Sequence, residues 1–205
     1  MPGVNPAPGP PPLERELLEE LRARTGLRSH RIQGIPVADK AVADLALPIL
    51  AEWYERLDDV DYRAAIVLTF SNSPHAHPYL DTVLQWWKRE TEPRITGFLT
   101  QLVAQLMRNG DAVKVFEASK EVPPDPFRIF ILSKLARAPS TAKEAKDLIL
   151  RNLQTGAYHP AELERISRVN DERIRAWFFD HLNDPDEHIR SVSNSLFPAR
   201  TSHLQ

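Results

Sequence analysis

The chain has 205 residues, 18 of them proline, 7 glycine and none cysteine, and a net charge of −2. The missing cysteines exclude disulfide scaffolds, zinc ribbons, iron–sulfur sites and a thiol nucleophile. The near balance of charge argues against a dedicated, strongly basic nucleic-acid binder, and 42% apolar with 26% charged residues fits a globular chain. No apolar run approaches the roughly 18 residues of a membrane span. The N-terminus, MPGVNPAPGPPP, has neither the basic n-region nor the apolar h-region of a secretory signal, so a cytoplasmic setting is expected.

Six of the 18 prolines fall within the first twelve residues. Residues 1–12 therefore read as a disordered, polyproline-type tail. Residues 13–200 read as a single helical domain and 201–205 as a flexible end. The first helix begins near Leu13, with Leu13, Leu17, Leu18 and Leu21 at helical spacing. Gly26 is placed to cap it, and 27–37 is a connector. Val42, Leu45, Ile49, Leu50, Trp53 and Leu57 share the next face, with Pro48 bending that helix or marking its start. Tyr62, Ala65, Ile66, Thr69 and Phe70 form another stripe. Leu80, Val83, Leu84 and Trp87 follow, and then Ile95, Phe98, Leu99, Leu102, Val103 and Leu106. Asn109-Gly110 reads as a helix stop. Further helices are predicted near 111–120, 126–137, 141–154, 160–168, 171–182 and 186–197. Strand signals are nearly absent, so the fold class is all-α.

Charge is unevenly distributed along the chain. Residues 1–85 hold 8 basic and 12 acidic side chains, 86–151 hold 12 and 8, and 152–205 hold 6 and 8. A mildly basic middle between acidic ends is ordinarily a solvated surface, and it is the feature that leaves an anionic partner open.

Five segments align on an arginine: DVDYRAAIVLTF (Arg63), ETEPRITGFLTQL (Arg94), PDPFRIFILSKL (Arg128), DERIRAWFFDHL (Arg175) and DEHIRSVSNSLF (Arg190). Four residues earlier stand Asp59, Glu90, Pro124, Asp171 and Asp186, each suited to opening a helix. Seven residues later stand Phe70, Gln101, Leu135, Leu182 and Phe197, where Gln101 is the one polar exception. The arginine lies on the flank of the apolar stripe, with its stem buried and its head wet. The acid–x–x–apolar–Arg signature, clearest in NDPDEHIRSVSNSLF and LDDVDYRAAIVLTF, resembles the HEAT-repeat family of armadillo-like proteins over about residues 42–197. The resemblance implies antiparallel helix pairs stacked as an irregular α-solenoid. It also implies structural pairing of Asp59 with Arg63, Glu90 with Arg94 and Asp186 with Arg190.

The residues offer little for catalysis. His75 and His77 form a potential metal pair with only Asp81 nearby, and read better as loop residues. His181 and His188 with Asp180, Asp184 and Asp186 read as a turn that caps the last helix. No phosphate-binding glycine loop, HExxH or nucleophile elbow is present. No cofactor and no metal is expected. Adjacent Trp86 and Trp87 point about 100° apart on a helix. Trp87 belongs to the Leu80–Leu84 stripe, which leaves Trp86 flanking or exposed; it reads first as packing between neighbouring repeats, and otherwise as an aromatic hot spot on a binding surface. Two functional expectations result. The first is a non-catalytic scaffold or adaptor that binds another protein, with Trp86, Arg94, Arg128 and Lys134 as surface candidates. The second is a DNA-binding or DNA-repair protein resembling the HEAT-like alkylpurine DNA glycosylases, on the strength of the basic middle and the tryptophans, with no catalytic residue carried over.

Overall fold

The computed structural model describes residues 12–122 and 127–198. The expected tail, the C-terminal end and the Pro124 and Pro126 helix starts fall outside that range, apart from Pro12. Among the described residues the chain forms eleven α-helices and four short 3-10 turns, without a strand. None of these helices is long and apolar enough to cross a membrane. The chain's contacts gather in two compact units divided after Val83.

In the first unit, α1 (Pro12–Thr25) opens on the proline that the sequence assigns to the tail. Proline costs little there, because its missing N–H is one of the four that a helix start leaves free. Leu17, Leu18 and Leu21 are buried, whereas Leu13 is 42% exposed. Gly26 ends the helix at φ +76, and its N–H donates to the Arg22 carbonyl at 2.8 Å; only glycine reaches that region freely. The connector is no loose loop. It buries Ile32, Ile35 and Val37 and contains a 3-10 turn at Ile32–Gly34. The Glu14 carboxylate accepts from the Ile32 N–H at 3.0 Å.

Helix α2 (Lys40–Arg56) starts from an Asp39 cap, so Pro48 sits inside the helix rather than at its start. Its buried face is Ala43, Ala46, Leu47, Leu50, Trp53 and Tyr54, with Ile49 beside it, and Leu45 is 46% exposed. The sequence stripe weighted large side chains. Ile49, Leu50, Trp53 and Leu57 are buried as that stripe expects, and at its start Ala43 and Ala46 are buried where the stripe had Val42 and Leu45. Helix α3 (Val60–Ser71) is capped by Asp59. The Thr69 hydroxyl contacts the Ile32 carbonyl at 3.3 Å, and the Ser73 hydroxyl donates to the Val37 carbonyl at 2.8 Å. These bonds tie the connector to α3 and its end. Between α1 and α2, Arg24 bridges Glu20 and Glu52, and the Trp53 indole N–H donates to Glu20 at 3.0 Å.

The division between units falls inside α4 (Leu80–Arg89). The second unit continues with α5 (Pro93–Leu106), α6 (Ala112–Glu121), α7 (Arg128–Leu135), α8 (Ala142–Thr155), α9 (Leu163–Ile166), α10 (Glu172–Asp180) and α11 (Glu187–Leu196). Helix α7 packs against α5, α8 and α9; α10 packs against α8 and α11; and α11 packs against α9. Ile129, Ile131, Leu132, Ser133 and Leu135 of α7 are all buried, as expected of a helix covered on most sides.

Three sequence expectations need correction here. Trp86 is not flanking or exposed: it is 2% exposed, and Trp87 is fully buried. Two rings about 100° apart are both buried only where a helix is covered over more than one face. The Trp87 N–H donates to the Thr100 hydroxyl at 2.9 Å, which in turn donates to the Thr96 carbonyl at 2.9 Å. The cap of α5 is Glu92, not Glu90; Glu90 is buried and accepts from the Thr91 and Glu92 N–H groups. The Asp186 carboxylate caps α11, while Arg190 donates to the Asp184 carbonyl at 2.7 Å rather than to Asp186. In the neighbouring signature it is Arg173, two residues before Arg175, that pairs with Asp171 and Asp147.

Two outcomes are expected. Thr100→Val keeps the shape but removes the acceptor of a buried indole N–H, and lowers unfolding free energy by about 1–3 kcal/mol in urea titration; an unchanged midpoint would contradict this role. Glu20 has its carboxyl held below the usual range, first by the Arg24 hydrogen bond and then by Trp53 and Arg56. A lowered folded-state value stabilises the fold above the ordinary carboxylate range and is lost as pH falls through that lowered value. Stability measured from neutral to acid pH should therefore fall less steeply for Glu20→Gln than for the parent.

Candidate functional site: a basic cleft

Helices α5, α7 and α9 and their ends line a cleft of about 510 Å³ in the second unit. That is within the range of ligand-sized pockets. Gln101 and Gln105 come from α5, one turn apart, so both amides lie on one face. Phe130, Ser133 and Lys134 come from α7, with Arg137 just beyond its end. Arg165 lies on α9 and Arg168 just after it. The wall carries four cations and no carboxylate. Arg137, Arg165 and Arg168 are exposed.

Each cation is placed by its surroundings. Lys134 donates to the Ala104 carbonyl on α5, which fixes its ammonium at the α5–α7 seam with two donors left. The Arg165 guanidinium lies over the Phe130 ring, 3.7 Å from its centre. Such stacking leaves the guanidinium edge free to donate. Arg168 stands 4.0 Å from Glu164, with both side chains largely exposed, so this pair neutralises it weakly. Among the described residues Arg137 forms no ion pair. Ser133 is buried and its hydroxyl has no hydrogen-bond partner among the described residues.

A second compartment of about 350 Å³ shares Phe130, Arg165 and Arg168 with the first. Phe127, Ile129 and Ala161 give it an apolar wall, beside His159 and Glu164. Phe127 reaches it by lying on Gly97 of α5, where a Cβ would stand 3.0 Å from the ring. Glycine is used here for close approach.

The walls are held by Glu162, which is only 7% exposed. One carboxylate oxygen accepts from the Ile129 N–H in the first turn of α7 at 3.3 Å, and the other accepts from the His159 N–H at 2.8 Å. A carboxylate there satisfies a free N–H and complements the helix dipole. It also fixes α7 relative to the 3-10 turn Pro160–Glu162 that leads into α9.

Of the four surface candidates from the sequence, the structure brings only Lys134 to the cleft. Trp86 is buried. Arg94 is exposed and stands 5.9 Å from the Phe98 ring centre. Arg128 is half-buried and donates to the Ser119 carbonyl at 3.1 Å, a contact within the fold. Sequence reasoning missed Gln105, Phe130, Arg137, Arg165 and Arg168. The signal for the site was Gln101, the single polar residue at an otherwise apolar repeat position.

Two of the histidines that the sequence offered as metal candidates sit against backbone carbonyls distant in sequence. His75 Nε2 lies 3.2 Å from the Ala38 carbonyl, and His188 Nε2 lies 2.9 Å from the Pro160 carbonyl. Among the described residues no three His, Asp or Glu side chains cluster as a metal site. Compared with known families, curated proteins and solved structures, the chain matches no family model, no curated protein and no solved structure.

Removing the Glu162 carboxylate strands the buried Ile129 N–H at about 1–3 kcal/mol and leaves the part-buried His159 N–H to solvent. Glu162→Ala is expected to cost roughly 1–3 kcal/mol of unfolding free energy, with Glu162→Gln recovering part of it. A loss below about 0.5 kcal/mol, the size of an ordinary surface change, would refute the role.

Proposed function

We propose that the chain is a non-catalytic, HEAT-like helical-repeat adaptor that binds an acidic segment of another protein in the basic cleft. The observation that carries this reading is the convergence of Lys134, Arg137, Arg165 and Arg168 on one open cleft without a lining carboxylate. Four like charges held together repel, and a fold keeps them exposed where an anion offsets the repulsion. The helical-repeat reading is supported by the packing of successive helices, α7 on α8 and α10 on α11, and by acid-capped starts at Asp59, Asp171 and Asp186. Such arrays present binding surfaces without a cofactor.

The same cations also support the DNA reading, since aromatic side chains beside a cationic groove suit nucleic acid. The protein reading is favoured because the cleft is local and the chain as a whole is acidic, at −2.

The test is titration of the full chain with a fluorescent oligoglutamate peptide, and separately with duplex DNA, at about 50 mM and 200 mM salt. The peptide should bind, and Arg137→Glu and Arg165→Glu should each weaken it by about tenfold or more. Binding of DNA alone, with a steep salt slope, would replace the adaptor reading. Binding of neither would overturn both.

A further inference from the structure

Resting on the adaptor reading, we propose that the cleft is built for a phosphorylated side chain of the partner, with an apolar side chain beside it seated in the second compartment. Three features point beyond a plain carboxylate. The first is charge. Four cations and no carboxylate line the first compartment, and the Glu164 carboxylate of the second stands 4.0 Å from Arg168. One carboxylate carries a single charge, whereas a phosphoryl group carries about −1.5 to −2 near neutrality.

The second is the surplus of donors. Each guanidinium offers five N–H donors and the Gln101 amide two, and Lys134 keeps two after its bond to Ala104. Two carboxylate oxygens accept few of these, while three phosphoryl oxygens accept more, and planar guanidinium forks match them in pairs. Arg165 is held against the Phe130 ring, 3.7 Å from its centre, so less freedom is lost when it engages an oxygen.

The third is the neighbouring compartment. Its apolar wall of Phe127, Ile129 and Ala161 meets the basic wall at Phe130, Arg165 and Arg168. A ligand that reaches both must carry an anion and an apolar group side by side. An extended peptide does so with residues close in sequence. A nucleic-acid backbone places its phosphates outward and repeats them, and neither the −2 charge of the chain nor the local extent of the cleft suits that repeat.

The experiment uses the full chain and three short fluorescent peptides of one sequence. The first holds a phosphoserine next to a leucine, the second holds glutamate in place of the phosphoserine, and the third holds phosphoserine next to serine. Duplex DNA of the same label is the fourth probe. The phosphoserine–leucine peptide should bind about tenfold or more tightly than the glutamate form and several-fold more tightly than the serine form. Arg137→Glu and Arg165→Glu should abolish the preference for phosphate. Both side chains are exposed, and far-UV circular dichroism checks that the variants fold. Arg137→Gln serves where the charge reversal does not fold, and should reduce the preference without reversing it.

Equal binding of the phosphoserine and glutamate forms would overturn this inference while leaving the acidic-partner reading intact. Equal binding of the leucine and serine forms would overturn the role of the second compartment. No binding of any peptide would overturn both readings, as would DNA binding more tightly than every peptide.

Discussion

The carboxylate of Glu162 is the interaction on which the second unit's cleft depends. It is buried, yet it accepts from the Ile129 N–H of α7 and from the His159 N–H before α9. One group thereby fixes two walls. A buried carboxylate is costly unless its lone pairs are used, and this one uses both oxygens on backbone donors, of which the Ile129 N–H is buried. Because α7 also packs on α5 and α8, its position propagates to Gln101 and Gln105 on one side and to Arg165 and Arg168 on the other.

The cleft explains how a chain of net charge −2 presents a strongly cationic surface. Fields act over about 8–10 Å at physiological salt, so an anion in the cleft is governed by Lys134, Arg137, Arg165 and Arg168, and acidic residues beyond that range are screened. Segment sums in the sequence conceal this. Residues 152–205 are acidic overall with 6 basic and 8 acidic side chains, yet they supply two of the four cations. Charge along a chain and charge across a folded surface are different quantities.

Hydrogen-bonded polar side chains do much of the positioning inside the helical units. Thr100 receives the Trp87 N–H, while Thr69 and Ser73 hold the connector. The Lys134 ammonium closes the α5–α7 seam. Each satisfies a group whose burial without a partner would cost about 1–3 kcal/mol.

The sequence by itself determined the all-α class and most helix positions, because apolar spacing and capping residues act within one or two turns. Gly26 as a helix end and Asp59, Asp171 and Asp186 as helix starts were legible for that reason. It misplaced Leu45 and Trp86, because which flank of an amphipathic helix is covered depends on neighbours distant in sequence. It selected Arg94 and Arg128 for their charge, whereas the partners of an exposed or half-buried arginine are set by packing. Among the cleft residues only Lys134 was chosen from the sequence, and Gln101 stood out there only as a polar exception. The convergence of Lys134 and Arg137 with Arg165 and Arg168, about 30 residues apart along the chain, was decided by the tertiary structure, since nothing in local spacing records which helix ends meet.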